Sequence, residues 1–159
     1  MFVQDFVYLD ADYDLVCERL AALGQDGTLA SSAAAVYRHG EELLIRVRPG
    51  ESPAVSKTVR LEMGPVMQRG DGVVFPLTWT ATGAAPLFPQ MEADLEVAPF
   101  GGGRVQLSFL GRYRVPLGRF GRRLDELVLH RVAQATVREF LQRVASYAAG
   151  EQPIPAVSG

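Results

Sequence analysis

From Leu124 to Ala148 the chain contains neither proline nor glycine and is built mostly from Leu, Ala, Arg, Glu and Gln, all good helix formers. At about 3.6 residues per turn this makes about seven helical turns. Gly118 and Gly121 flank the start, Gly150 stands where a left-handed C-terminal cap falls, and Pro153 follows. In the second half Leu129, Ala133, Val137, Phe140, Val144 and Tyr147 share one side, while Arg138, Glu139, Gln142 and Arg143 fall away from it. A long amphipathic helix needs an apolar surface to lie on, and the rest of the chain must supply it.

The preceding residues supply it by alternation. Phe2 to Leu9 reads as a strand, with Phe2, Phe6 and Tyr8 on one face and Val3 and Val7 on the other. Asp10 or Asp12 caps a helix over Leu15 to Leu23 that ends at Gly24, and the small-residue stretch Thr28 to Ala35 reads as a second short helix. The period then becomes two: Leu43, Ile45 and Val47 alternate with Leu44, Arg46 and Arg48 up to a Pro49-Gly50 turn. Val55, Lys57, Val59, Leu61 and Met63 continue the alternation until Gly64-Pro65, and Val66 to Arg69 forms a short strand. Gly70-Asp71-Gly72 is a hairpin signal leading to Val73, Phe75, Leu77 and Trp79, where Pro76 predicts an edge strand or a bulge. After a loop at Gly83 to Pro89, Met91, Ala93, Leu95 and Val97 alternate with Glu92, Asp94 and Glu96. Gly101-Gly102-Gly103 turns the chain into Val105, Leu107 and Phe109.

The pattern predicts an α+β fold: a curved antiparallel sheet of about seven strands, apolar on one face, wrapped around the long C-terminal helix, with two short helices after the first strand. Residues 1–149 form one domain, and 150–159 are expected to be a disordered tail.

Composition narrows the function. A net charge of −2 gives no basic field to gather nucleic acid. Cys17 is the only cysteine, which excludes an internal disulfide and favours a reducing compartment, the cytoplasm. The N-terminal residues lack a signal-peptide pattern, and no apolar run reaches the roughly 20 residues of a spanning helix. Lys57, the only lysine, lies on an alternating strand, a poor setting for a Schiff base. His39, His130 and Cys17 are too scattered for a metal site, and no cofactor is expected. The Gly101–Gly103 run joins two strands and opens no helix, so it reads as a turn and not as a phosphate loop.

Several local patterns resemble the START-like, helix-grip superfamily of polyketide cyclase/dehydrase and lipid-transport proteins (SRPBCC). They are Pro76-Leu77-x-Trp79, Leu87-Phe88-Pro89, Asp94-Leu95, Gly111-x-Tyr113, Pro116-Leu117-Gly118, Leu124-Asp125 and His130-Arg131-Val132-Ala133. The resemblance covers roughly residues 1–148 and is to poorly characterised bacterial members. It implies a helix-grip fold with a hydrophobic ligand, lipid, sterol, hormone or polyketide between sheet and helix.

A cavity is therefore expected, lined by Ile45, Val59, Leu61, Phe75, Leu77, Trp79, Leu95, Leu107, Phe109, Val137 and Phe140. Arg122, Glu126 and His130 stack at i, i+4 and i+8 on the helix and either orient a polar ligand group at its mouth or form a solvated ion-pair ladder. The leading reading is non-catalytic binding of a hydrophobic small molecule or lipid. The alternatives are a polyketide cyclase or aromatase using Glu126, His130 or Tyr113, and a solid-cored interaction module. His130, which has no evident partner base, is expected to be dispensable. Leu124, Leu127, Val128 and Val132 form a second apolar stripe near the helix start, to be covered by the chain's own loops, a homodimer or a lipid surface. Stable membrane insertion is not expected, since no basic rim surrounds the stripe.

Overall fold

The structure, a computed structural model, describes residues 1–47, 58–82, 90–114 and 126–151. In chain order these form β1 (Phe2–Leu9), α1 (Tyr13–Gln25), α2 (Thr28–Val47), β2 (Thr58–Met63), β3 (Met67–Arg69), β4 (Gly72–Thr82), β5 (Gln90–Gly101), β6 (Arg104–Tyr113) and α3 (Glu126–Ala148). The strands make one antiparallel sheet in the order β1-β6-β5-β4-β2, with β3 beside β4. The sheet curls around α3, with α1 and α2 closing the remaining sides. This is the helix-grip arrangement.

Alternation set the register. Met91, Ala93, Leu95 and Val97 are buried between exposed or half-buried acids, and Leu95 pairs with Phe75 on one side and Phe109 on the other. A row of large side chains therefore crosses three strands on the inner face. On the outer face Arg69 bridges Asp94 at 2.9 Å and Glu96 at 3.3 Å. β1 is an edge strand, and its Phe6 N–H is occupied by the Asp5 carboxylate at 2.9 Å, which blunts the edge against a further strand.

Two of the described turns rest on glycine. Gly70 (φ 60°) opens the two-residue β3–β4 turn, and Gly102 and Gly103 (φ 62° and 73°) form the β5–β6 turn, as type II′ and I′ geometries require. Asp12 caps α1 by accepting from the Leu15 N–H at 3.1 Å. At the end of α3 Gly150 (φ 83°) donates to the Tyr147 carbonyl and Glu151 to that of Ser146, a Schellman cap.

Two expectations need correction. The strand over Leu43, Ile45 and Val47 is the end of α2, which is 20 residues long and not a short helix. Leu29, Ala33, Val36, Tyr37, Gly40 and Glu41 are all buried at helical spacing, so the period of 3.6 runs on through Gly40, and the contiguous Leu43-Leu44-Ile45 was never a true alternation. Second, α1 does not stop at Gly24 but runs one residue further, to Gln25; a Cβ at Gly24 would stand 2.6 Å from the sulfur of Met63 of β2, a flexible side chain that would have to move aside. The bulge expected at Pro76 is present: Met63 pairs with Leu77 and Met67 with Val74, so the three residues 64–66 oppose only Phe75 and Pro76. The Pro76 carbonyl accepts from Gly64 N at 2.8 Å, so the missing N–H faces the break between β2 and β3, where no ladder bond is lost.

The second stripe on α3 is largely explained by its buried surface, which winds around the helix. Leu129, Val132 and Ala133 are buried near its start, Leu141, Val144, Ala145 and Ala148 near its end. Val128 packs against the core, and Leu127, 66% exposed, stays on the surface. The Pro49-Gly50 turn, Val55 to Lys57, the Gly83–Pro89 loop, Pro116 to Asp125 with Arg122 and Leu124, and the tail from residue 152 lie outside the described residues.

The glycines separate two costs. A Cβ at Gly72 would stand 2.5 Å from the Val97 carbonyl oxygen, a backbone atom that cannot yield alone, whereas one at Gly102 would meet open space. Urea denaturation is expected to show Gly72→Ala losing well over 2 kcal/mol by strand displacement, and Gly102→Ala losing only about 1–2 kcal/mol for its left-handed backbone. Equal losses would contradict this packing.

Candidate ligand cavity

α1 ends at Gln25 and α2 begins at Thr28, with Gly27 (φ 80°) turning the chain between them. Two helices joined so tightly diverge from their junction, and the second half of α3 lies across the opening with the end of β1 beside it. A cavity of about 520 Å³ remains. Its apolar wall is Val7 and Leu9 of β1, Leu23 of α1, Leu29 of α2, and Val144 and Ala145 of α3. Its polar side is Thr28 and Ser32 of α2 with Glu139, Gln142, Arg143, Ser146 and Tyr147 of α3, and Ala149 and Glu151 complete it.

Three polar links hold α3 to the elements around this space. Arg138 Nε donates to Asp5 of β1 at 3.0 Å. Arg19 of α1 donates to the Ala148 carbonyl at 2.9 Å, placing a cation at the helix C-terminus where the dipole favours it. His39 Nδ1 meets Glu139 Oε2 at 2.5 Å, and Arg143 donates to the other oxygen of the same carboxylate at 2.8 Å. Burial alone would raise the Glu139 pKa, but its bonds to His39 and Arg143 outweigh that and hold the carboxyl below its ordinary value.

The expected lining residues lie elsewhere. Leu61, Phe75, Leu77, Trp79, Leu95, Leu107, Phe109, Val137 and Phe140 form the buried layer between β2–β6 and α3, and Val59 packs against it half-buried. Their rings touch: Trp79 and Phe140 centroids are 5.3 Å apart, Phe109 and Phe140 5.9 Å, and Tyr37 of α2 reaches Trp79 at 6.1 Å. The side chains of Ile45 and Glu126 lie outside what the structure describes. His130 is half-buried, 3.5 Å from the hydroxyl of Tyr113, whose carbonyl accepts from the Met1 amine at 2.7 Å. Of the expected residues whose side chains are described, none lines the cavity. The residues that do, and the His39–Glu139–Arg143 cluster at its side, were not singled out from the sequence. Ser32 and His39 stand two turns apart on one helical face, a signal visible only once α2 is known to extend past Ala35.

No protein-family model matches the chain, and no curated protein matches its sequence. Solved structures do share its fold. The protein TTHA0849 from Thermus thermophilus superposes with a TM-score of 0.50 at 16% identity, over 94% of this chain and 98% of that one. The hypothetical protein jhp0584 from Helicobacter pylori gives 0.51 at 12% identity, over 93% and 88%. These two likenesses are to the helix-grip fold alone, which agrees with the resemblance carried by the sequence motifs. A looser likeness, with a TM-score of 0.46 at 14% identity over 93% of each chain, is to the Zhui aromatase/cyclase from Streptomyces sp. R1128.

The lowered Glu139 carboxyl makes a pH prediction. A depressed carboxylate contributes stability that is present above its unfolded pKa and lost as pH falls through the folded value. Wild type is expected to exceed Glu139→Gln by about 1 kcal/mol at pH 7, and the gap should shrink below about pH 4.5. A gap that stays constant from pH 7 to pH 3 in urea titrations would show that the cluster does not act through the ionised carboxylate.

Proposed function

We propose that this chain binds a hydrophobic small molecule or lipid and does not transform it. The observation that carries the reading is the cavity itself: about 520 Å³, with one apolar wall and one polar side. Ligand pockets of about 300–1,000 Å³ have this composition, the apolar surface supplying affinity and a few polar groups supplying orientation. An amphipathic molecule fits, its body against Val7, Leu23, Leu29 and Val144 and its polar end toward Thr28, Ser32 and Arg143.

The chemistry around the cavity favours holding over reacting. Glu139 is engaged by His39 and Arg143 on both of its oxygens, which suits an anchor between helices better than a base waiting for substrate. Burial pushes the Cys17 thiol above its usual pKa, which keeps it out of the nucleophilic thiolate form. The lone cysteine also fits a reducing compartment, and we assign the protein to the cytoplasm; no helix among the described residues is long and apolar enough to cross a membrane. We assign residues 1–149 to a single domain, and regard the buried layer around Trp79 and Phe140 as the inner wall against which a larger ligand rests.

Fluorescence titration with N-phenyl-1-naphthylamine, an apolar dye that brightens on leaving water, tests the reading. Saturable binding at one site per chain is expected, weakened at least tenfold in Ser32→Trp, where a bulky ring fills the polar side of the cavity. The melting temperature should change little, because Ser32 is only half-buried. Unsaturable binding, or binding indifferent to the substitution, would remove the cavity as the ligand site.

A further inference from the structure

The outer face of β1 carries aromatic side chains that the core does not use. Phe2, Phe6 and Tyr8, with Phe100 of β5, are between 44% and 56% exposed. Tyr8 lies 4.5 Å from Phe100 at an interplanar angle of 44° and 5.5 Å from Phe6 at 68°, and the Arg104 guanidinium sits over the Phe100 ring at 5.2 Å. Rings inclined in this way leave grooves between them and not a flat platform. Their neighbours in register are uncharged: Gln106 stands opposite Tyr8 and Ser108 opposite Phe6, and Gln106 donates to Ser108 at 3.1 Å. Four half-exposed rings leave on the order of 400 Å² of apolar surface in one patch, large enough to call for a partner.

We propose that this patch is the docking site of the chain's own segment 152–157, whose Pro153-Ile154-Pro155 packs across Tyr8 and Phe6. The segment lies outside the described residues, but its point of departure does not. Glu151 completes the cavity beside Val7 and Leu9, the two neighbours of Tyr8. Because β1 is an edge strand, a chain leaving Glu151 reaches the outer face by rounding one strand. Chemistry gives the second reason. Gln152 and Ile154 each precede a proline, which biases them to extended backbone, and extended proline-containing segments dock in aromatic-lined grooves. At about 3.1 Å per residue such a segment reaches about 19 Å, enough to round β1 and cross both rings. Proline has no N–H to give to a strand ladder, and Asp5 already occupies the Phe6 N–H, so the contact is made by rings and not by an added strand. A second copy fits less well, since the apolar area is about half of the roughly 800 Å² that each side of a stable interface buries. An anionic lipid surface is disfavoured by the acidic row Glu92, Asp94 and Glu96 on the same face of the sheet. Residues 152–157 carry no charged side chain and meet neither objection. The patch lies apart from the cavity, and its assignment does not depend on the small-molecule reading.

The chain has two isoleucines, Ile45 and Ile154, so protein ¹³C-labelled at the isoleucine δ1 methyls gives two signals, assigned with Ile154→Val. In the wild-type protein the Ile154 methyl is expected upfield of its position in a free peptide of residues 152–157, displaced by aromatic ring currents. Nuclear Overhauser contacts should join it to the ring protons of Tyr8 or Phe6. Tyr8→Ser should return the methyl to the free-peptide position, and so should Pro153→Ser combined with Pro155→Ser. A methyl that already stands at the free-peptide position in wild type overturns the proposal. So do contacts to the Leu23 and Leu29 methyls, which put the segment in the cavity, and a shift that fades on dilution, which puts it on a second copy. Tyr8 is exposed, so its replacement leaves the core intact; should that variant still misfold, the wild-type contacts decide. The dye titration judges the cavity separately.

Discussion

Phe140 is where the layers of this molecule meet. Its ring is wholly buried on α3 and packs against Trp79 of β4 and Phe109 of β6, while Tyr37 brings α2 onto Trp79 from the other side. Four elements far apart in sequence are thus joined through one aromatic cluster. Removing a buried aromatic from such a core costs about 3–5 kcal/mol, against a net stability of about 5–15 kcal/mol for a whole domain. No polar link among the described residues approaches that. β4 and β6, with β5 between them, both turn a ring onto Phe140, which draws the inner face of the sheet toward the helix.

The polar links do a different task. Exposed and half-exposed pairs such as Asp5–Arg138 and His39–Glu139 contribute about 0–1 kcal/mol each, too little to decide the fold. They are directional, however, where packing is not. Asp5 fixes α3 against β1, Arg19 fixes its end against α1, and His39 fixes its second half against α2. A helix fastened to three elements at set distances cannot slide into the space among them, which keeps Val7, Leu29 and Val144 apart. Packing makes the grip, and these links keep one corner of it open.

The part of this fold that could be read from the sequence is the part governed by local periodicity. Met91 to Val97 alternates so strictly that only one face could be buried, and the hairpin glycines and Gly150 occupy positions where a side chain would strain the backbone. The same reasoning failed where two periods competed. The apolar run Leu43-Leu44-Ile45 fits a strand as well as a helix, and the helix read over Thr28 to Ala35 runs on through Gly40, which is buried in mid-helix. That error hid the contact between His39 and Glu139. A helix ending near Ala35 never reaches Glu139, so Glu139, Gln142 and Arg143 looked like a solvated face. They do point away from Phe140, but the longer α2 comes round to meet them. Pro76 was legible for a local reason too: proline reports a missing N–H, and here it faces the bulged break between two short strands.

If the grip holds a small hydrophobic guest, the guest should travel with the folded protein. Native mass spectrometry of the protein, purified without detergent and compared before and after denaturation, tests this most directly. The expected result is a one-to-one adduct of a few hundred daltons, sized to about 520 Å³ and released on unfolding. A bare polypeptide mass, unchanged after incubation with a lipid and small-molecule extract of the source cells, would contradict it.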